Sequence, residues 1–340
     1  MHEQKWIPIF GNAHIDGGTI THLPVLFPPP PAMPAADGAP PAAPHVVVRS
    51  NLEFEQGTIT WEVMIGDQNC RAQLMLPAEA GAASAAPSEK AKVDSADTEL
   101  AVGLNVLGAP YGFAIWNGSW EGAGGSGHGS LLPLNNWIPL KLTVRGSVAE
   151  FYVHGVKVLS TTRMLKRGQI AVLLQGNSQC SIRNVSIIQD APMCFVVMQF
   201  TEEFNVLYQD VIRPICESYG YKVVRGDDFY TSGQILEDVT ESIRSAGLII
   251  ADVTPRNENV FYELGFAHAI GKPTILLSDR KRDRLPFDIA GFRTIFYDNT
   301  IGGKAVVETC LKQHLDALGG RWSRPPNKAL NPTGADAPVG

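Results

Sequence analysis

From His45 to about Ile188, apolar and polar residues alternate with a period of two. The clearest stretches are Thr58-Ile59-Thr60-Trp61-Glu62-Val63-Met64-Ile65, Leu140-Lys141-Leu142-Thr143-Val144 and Ala149-Glu150-Phe151-Tyr152-Val153. Successive side chains of a strand point to opposite faces, so each stretch predicts a half-buried antiparallel strand. Further strands are predicted at Ala101 to Leu104, Gly112 to Trp116, Gln169 to Leu174 and Ser181 to Ile187. Gly-, Asn- and Pro-rich turns separate them, with no helical stretch between. An all-β sandwich follows over 45–189, with Trp6 to Leu23 as an added edge strand.

Around Asp190-Ala191-Pro192 the period changes. Cys194 to Met198 is a short apolar run. Phe204 to Tyr219 has helical spacing, with a kink expected at Pro214, and Tyr221 to Val224 is strand-like. A helix from Ser232 to Ala246, a strand Leu248 to Asp252, a helix Asn259 to Ile270, strands Pro273 to Ser278 and Arg293 to Tyr297, and a helix Gly303 to Leu318 complete the series. Such βα alternation predicts a parallel sheet covered by helices on both faces, with its ligand site beyond the carboxyl ends of the strands.

Low-complexity segments divide the chain further. Pro28 to Pro31 and the Ala/Pro-rich stretch to Pro44 read as an extended connector, and Pro77 to Asp97 as a long surface loop inserted into the sandwich. The organisation expected is an N-terminal strand and Pro/Ala-rich segment over 1–44, the sandwich over 45–189, the α/β domain over 193–318, and a disordered tail over 319–340.

The chain has 340 residues, 44% of them hydrophobic and 18% charged, which suits two folded domains. Its formal charge of -6 supplies no global basic field, so nucleic acid is not an expected partner. No run of about 18 apolar residues predicts a membrane span. Met1 to Trp6 lacks the basic and apolar regions of a signal peptide, so a cytoplasmic location is expected. The five cysteines are scattered without a C-x-x-C pair and read as reduced, buried thiols. No metal-binding His/Glu pair, phosphate-binding Gly-rich loop or serine-hydrolase elbow is present, and no metal is expected.

Candidate chemistry is concentrated between Ala251 and Pro273. Asp252 ends a buried strand at the sheet's ligand edge. Asn259 is a plausible N-cap, Gly271 a C′ residue, and Val260, Leu264 and Ala267 an inward stripe. Glu263 is expected in the helix's first turn. There the positive helix terminus favours its carboxylate and burial opposes it, unless it merely complements the dipole. Met198, Gln199 and Phe200 leave the first strand, where Phe200 suits either stacking on a base or core packing. Asp227 and Asp228 suit ribose hydroxyls or a solvated turn. Ser232 and Gly233 open a helix whose free N–H groups suit phosphate or an ordinary cap. Asn257, Asn259 and Tyr262 precede Glu263 and are candidate substrate contacts, Asn259 more readily as a cap. His268 reads as structural.

The run Asp252, then Glu263-Leu264-Gly265-Phe266-Ala267-His268-Ala269-Ile270-Gly271-Lys272-Pro273, resembles a pattern of the superfamily that joins nucleoside 2-deoxyribosyltransferases and TIR-like NAD-cleaving domains. The resemblance spans about 193–318 and implies a flavodoxin-like sheet with Glu263 as the catalytic carboxylate at the anomeric carbon of an N-glycoside. Asp252 would supply or organise a proton. It further implies NAD as substrate rather than cofactor, homo-oligomers, and a bacterial immune-type (antiviral) role. Phe151-Tyr152-Val153-His154-Gly155-Val156-Lys157-Val158, with Gly168 to Leu173 and Ile182 to Ile187, resembles concanavalin-like jelly rolls of the laminin-G and glucanase type. That implies a sensing or assembly domain with a ligand of its own. The fold expected is thus an N-terminal all-β jelly-roll sandwich followed by a C-terminal α/β flavodoxin-like parallel sheet.

Where deoxyribosyltransferases carry an Asp-rich approach to the Glu, this chain has Arg256 to Tyr262, rich in amides and aromatics, which moves the expectation toward NAD. Deoxyribosyl transfer, non-catalytic nucleotide binding, and a binding role for the sandwich through Trp116, Trp120 and Trp137 are the alternatives.

Overall fold

Period-two alternation does produce the sandwich. In the computed structural model, which describes residues 4–24, 43–78, 98–226, 235–254, 256–281 and 285–319, two seven-stranded antiparallel sheets of jelly-roll type face each other. The Pro28 to Pro31 run, nearly all of the Pro77 to Asp97 segment and the tail from 320 lie outside the described residues.

The strands are β1 (Trp6–Phe10), β2 (His14–Asp16), β3 (Thr19–His22), β4 (His45–Phe54), β5 (Gly57–Ile65), β6 (Arg71–Pro77), β7 (Glu99–Val106), β8 (Ala109–Trp116), β9 (Trp120–Ser126), β10 (Ile138–Arg145), β11 (Val148–Val153), β12 (Val156–Thr162), β13 (Gly168–Gln175) and β14 (Cys180–Gln189). One sheet runs β1-β4-β13-β6-β7-β8-β9 and the other β12-β11-β10-β5-β14-β3-β2. On β5, Ile59, Trp61, Val63 and Ile65 are each at most 1% exposed and meet the facing sheet. Trp61 stacks on Phe151 with ring centroids 6.1 Å apart, and Phe113 meets Phe151 edge-on. Aromatic packing of this kind adds about 0.5–1.5 kcal/mol per pair to the area term.

Two expectations change here. The segment Trp6 to Leu23 is not one edge strand: β1 pairs with β4 at the border of the first sheet, and the β2–β3 hairpin borders the second through β14. The sandwich therefore begins before residue 45. The Gly-rich stretch after Trp120, one of the Gly-rich segments expected as turns, is the edge strand β9 paired with β8. Ladder hydrogen bonds outweigh the weak strand preference of glycine at this edge. Trp116 and Trp120 are half-buried and tilt against each other at 5.2 Å, while Arg183 stacks on Trp137.

The second unit is a parallel five-stranded sheet of β15 (Met193–Val197), β16 (Lys222–Arg225), β17 (Leu248–Asp252), β18 (Thr274–Asp279) and β19 (Thr294–Tyr297). Its order, β16-β15-β17-β18-β19, is 2-1-3-4-5 in chain order, which reverses beside β15. Helices α1 (Glu202–Leu207), α2 (Arg213–Ser218) and α5 (Ile301–Gly319) cover one face. Helices α3 (Ile235–Ser245) and α4 (Glu258–Ala269) cover the other. Between α1 and α2, Tyr208–Ile212 form a π-helical turn instead of a simple kink. Pro214 has no N–H to give and its ring crowds the preceding turn, and the widened turn absorbs both.

The units also touch away from the connecting chain. Ser147, in the β10–β11 turn, donates to Arg244 O near the end of α3 from its backbone N at 3.3 Å and its Oγ at 3.2 Å. Gly146 has φ +54°, and a Cβ there would lie 2.5 Å from the carbonyl oxygens of Ser245 and Ala246, so glycine alone fits this approach. Among the described residues, no helix is long and apolar enough to cross a membrane.

Candidate functional site

Helix α4 sets the site. Its N-cap is Asn257, not Asn259: Asn257 is extended at φ -131° and ψ 122°, and its Oδ1 accepts from the backbone N of Asn259 at 3.0 Å and of Val260 at 3.4 Å. At the other end, Gly271 at φ +71° donates to His268 O and Lys272 N donates to Ala267 O, a Schellman closure. Val260, Leu264 and Ala267 face the sheet core. Asn257→Ala is expected to lower stability by about 1 kcal/mol in urea unfolding, with Asn257→Asp restoring most of it.

The earlier start places Glu263 in the second turn, two residues further from the helix terminus than its spacing from Asn259 predicts. The dipole fades over the first turn, so burial decides the ionisation. Desolvation alone raises the carboxyl from 4.5 to about 7, and Glu263 has no hydrogen bond or ion pair among the described residues. It opens onto a cleft of about 350 Å³ with Met198, Gln199, Phe200, Asn257, Asn259 and Tyr262 in its walls. This volume lies in the range of small-molecule sites.

The cleft thus brings together seven of the predicted residues at the carboxyl edge of the sheet. Phe200 and Tyr262 are 54% and 56% exposed, which leaves both rings free at the rim. Arg225, itself buried, stacks behind Phe200 at 5.2 Å and over Tyr208 at 4.4 Å, holding the Phe200 ring in place. Gly226, Leu236 and Val239 also line the cleft and were not singled out from the sequence. Leu236 is half-exposed there, whereas Val239 and Ile243 on the same helix are buried. No Arg or Lys lines the cleft among the described residues, and the exposed Arg256 is not in its wall.

Asp252 stands elsewhere. It shares strand parity with Leu248 and Ile250, which pack under α2 and α5, whereas Glu263 belongs to the opposite helical layer. Its Oδ2 accepts from Tyr297 O–H at 2.6 Å and its Oδ1 from Thr254 N at 2.9 Å, and it is 1% exposed. These bonds pin the beginning of the loop toward α4. Burial and the Asp252 carboxylate together push the Tyr297 phenol up, keeping it a donor. Asp227, Asp228, Ser232 and Gly233 lie outside the described residues. His268 stacks on Phe292 at 4.3 Å and its Nε2 has no hydrogen-bond partner among the described residues, so stacking holds it. No group of three or more His, Cys, Asp or Glu side chains suited to a metal occurs among the described residues.

No family model matches the sequence, and no curated protein matches it. Solved structures resemble its parts. A carbohydrate-binding module from Bacillus subtilis is 14% identical with a TM-score of 0.37, over 53% of this chain and 92% of its own. A β-glucanase from Bacillus licheniformis is 11% identical with a TM-score of 0.32, over 53% and 89%. A CMP N-glycosidase from Clostridium botulinum is 23% identical with a TM-score of 0.31, over 36% of this chain and 99% of its own.

Proposed function

We propose that the α/β unit cleaves an N-glycosidic bond in the Glu263 cleft, with NAD⁺ as the leading substrate, and that the sandwich controls this activity. The carrying observation is one carboxyl that burial raises to about 7, with no hydrogen-bond or ion-pair partner among the described residues, facing a cleft with aromatic and amide walls. As the C–N bond breaks, the sugar becomes oxocarbenium-like and the electron pair leaves with the base. A carboxylate beside the anomeric carbon stabilises that cation or attacks it, and water completes hydrolysis. Nicotinamide leaves as a neutral ring, so no proton donor is required. This agrees with Asp252 being engaged by Tyr297 rather than facing the cleft. The Phe200 and Tyr262 rings suit stacking on the departing heterocycle, and the amides of Gln199, Asn257 and Asn259 suit ribose hydroxyls.

A flavodoxin-like, TIR-like reading accords with the 2-1-3-4-5 strand order. The absence of basic residues from the described cleft wall favours a second substrate, an uncharged nucleoside, and with it deoxyribosyl transfer.

The test incubates the full chain, at low and high protein concentration, with NAD⁺, with CMP, and with a deoxynucleoside plus a free base, followed by product chromatography. Nicotinamide release that Glu263→Ala abolishes is the expected result, and a rise in specific activity with concentration would mark a homo-oligomer. Base exchange selects the transferase reading. Saturable nucleotide binding without product selects a non-catalytic binding protein, and undiminished turnover by Glu263→Ala removes the proposal.

A further inference from the structure

Two thiols meet between the sheets of the sandwich. Cys70 stands immediately before β6 in the first sheet and Cys180 opens β14 in the second, and both are 0% exposed. The Cys180 side chain stands beside Cys70 and lowers its thiol. Each also reaches the backbone beside the other: Cys70 Sγ donates to Ser178 O at 3.6 Å, and Cys180 Sγ lies 3.9 Å from Arg71 O. Gly176 at φ +151° makes the approach possible, since a Cβ there would stand 2.7 Å from Cys70 Sγ. The Asp67 carboxylate fixes the other side by accepting from the backbone N of Asn69 and Cys70. Neither thiol has a part in the cleft chemistry.

We propose that Cys70 and Cys180 form a reversible disulfide that staples the two sheets together, with a peroxide as oxidant. This inference is independent of the reaction assigned to Glu263. In the first step the Cys70 thiolate attacks one peroxide oxygen, the O–O bond breaks, and water leaves after protonation, giving a sulfenic acid. In the second step the Cys180 sulfur attacks the Cys70 sulfur and the S–O bond breaks. The thiol proton leaves with the hydroxide as a second water. Two electrons pass from the two thiols to one peroxide. The neighbouring Cys180 side chain lowers the Cys70 thiol to about 7, which supplies thiolate at neutral pH. The product closes a loop of about 110 residues, where a cross-link restricts the unfolded chain strongly. Both thiols are buried, so peroxide enters through opening of the turns that bracket them, and oxidation is slower than at an exposed thiol.

The remaining cysteines provide internal comparison. Cys194 and Cys216 are also neighbours but lie in the α/β core between β15 and α2, and Cys310 is half-buried on α5. The experiment treats the full chain with hydrogen peroxide at neutral pH, quenches aliquots with iodoacetamide, digests without reductant and maps the peptides by mass spectrometry. Expected is a Cys70–Cys180 peptide pair two hydrogens lighter than its parts. It should form within one chain, ahead of any Cys194–Cys216 pair, and dithiothreitol should reverse it. The oxidised chain should melt about 5 °C or more higher. In Cys180→Ser, Cys70 should stop at the sulfenic acid and be trapped by dimedone; the wild-type peptide map decides the matter even where that variant does not fold. Cys70 and Cys180 both remaining alkylatable after Cys310 has been oxidised, or joining only once denaturant is added, overturns the proposal.

Discussion

Glu263→Gln is expected to lower kcat for N-glycoside cleavage by about 10³-fold while making the protein more stable at pH 8. Both effects have one cause. In the folded chain burial holds the Glu263 carboxyl at about 7, against 4.5 for a solvated glutamate. Between those values the unfolded chain has released a proton that the folded chain keeps, so folding stability falls as pH rises through this window. The loss is complete above about 7, where the folded protein carries a poorly solvated anion. Glutamine has the same shape and never ionises. The variant should therefore match the wild type at pH 4 and exceed it by about 1–3 kcal/mol at pH 8. Urea titrations at the two pH values measure this directly, and equal stability at pH 8 would show that Glu263 is solvated after all. Wild-type kcat/KM should rise with pH through about 7 and level off, because the ionised form is the one that meets the developing cation.

Lys272→Met is expected to cost about 2–4 kcal/mol at pH 8. Lys272 is 5% exposed, and its Nζ donates to Arg244 O at 2.5 Å and to Ala246 O at 2.6 Å, where α3 ends. Burial lowers its pKa from 10.5 to about 7, so at pH 8 most of the amine is neutral. A neutral amine has two N–H bonds, one for each carbonyl, and it pays no desolvation cost for a charge. Methionine keeps the apolar stem and takes both bonds away. Because Leu236 and Val239 near the start of α3 line the cleft, the same substitution should speed amide exchange over 235–246 and weaken nucleotide binding. A lower urea midpoint with unchanged exchange in α3 would confine the effect of Lys272 to its own loop.

Much of this molecule was legible in the chain because the signals are local. Alternation on β5 and β10 reports a pleat with one wet and one dry face. The apolar run Leu248 to Asp252 has the observed bounds of β17, and the Gly271 closure follows from a positive φ that glycine accepts freely. Glu263, Phe200, Asn257 and Tyr262 were expected near the carboxyl edge of the parallel sheet, Glu263 chiefly through the resemblance of its motif, and all four line one cleft. The cap was misplaced by two residues since Asn257 and Asn259 are chemically equivalent candidates, and only backbone dihedrals separate them.

The sequence by itself determined which segments become strands and helices and which of their faces are dry, since both depend on periods of two to four residues. Only the tertiary structure decided which side chains meet. Strand parity at β17 carried Asp252 to the layer opposite Glu263, and pairing across the jelly roll brought Cys180 to Cys70 from far along the chain. It also shared Trp6 to His22 between two sheets. Those juxtapositions arise from the packing of whole faces, and no local window of residues contains them.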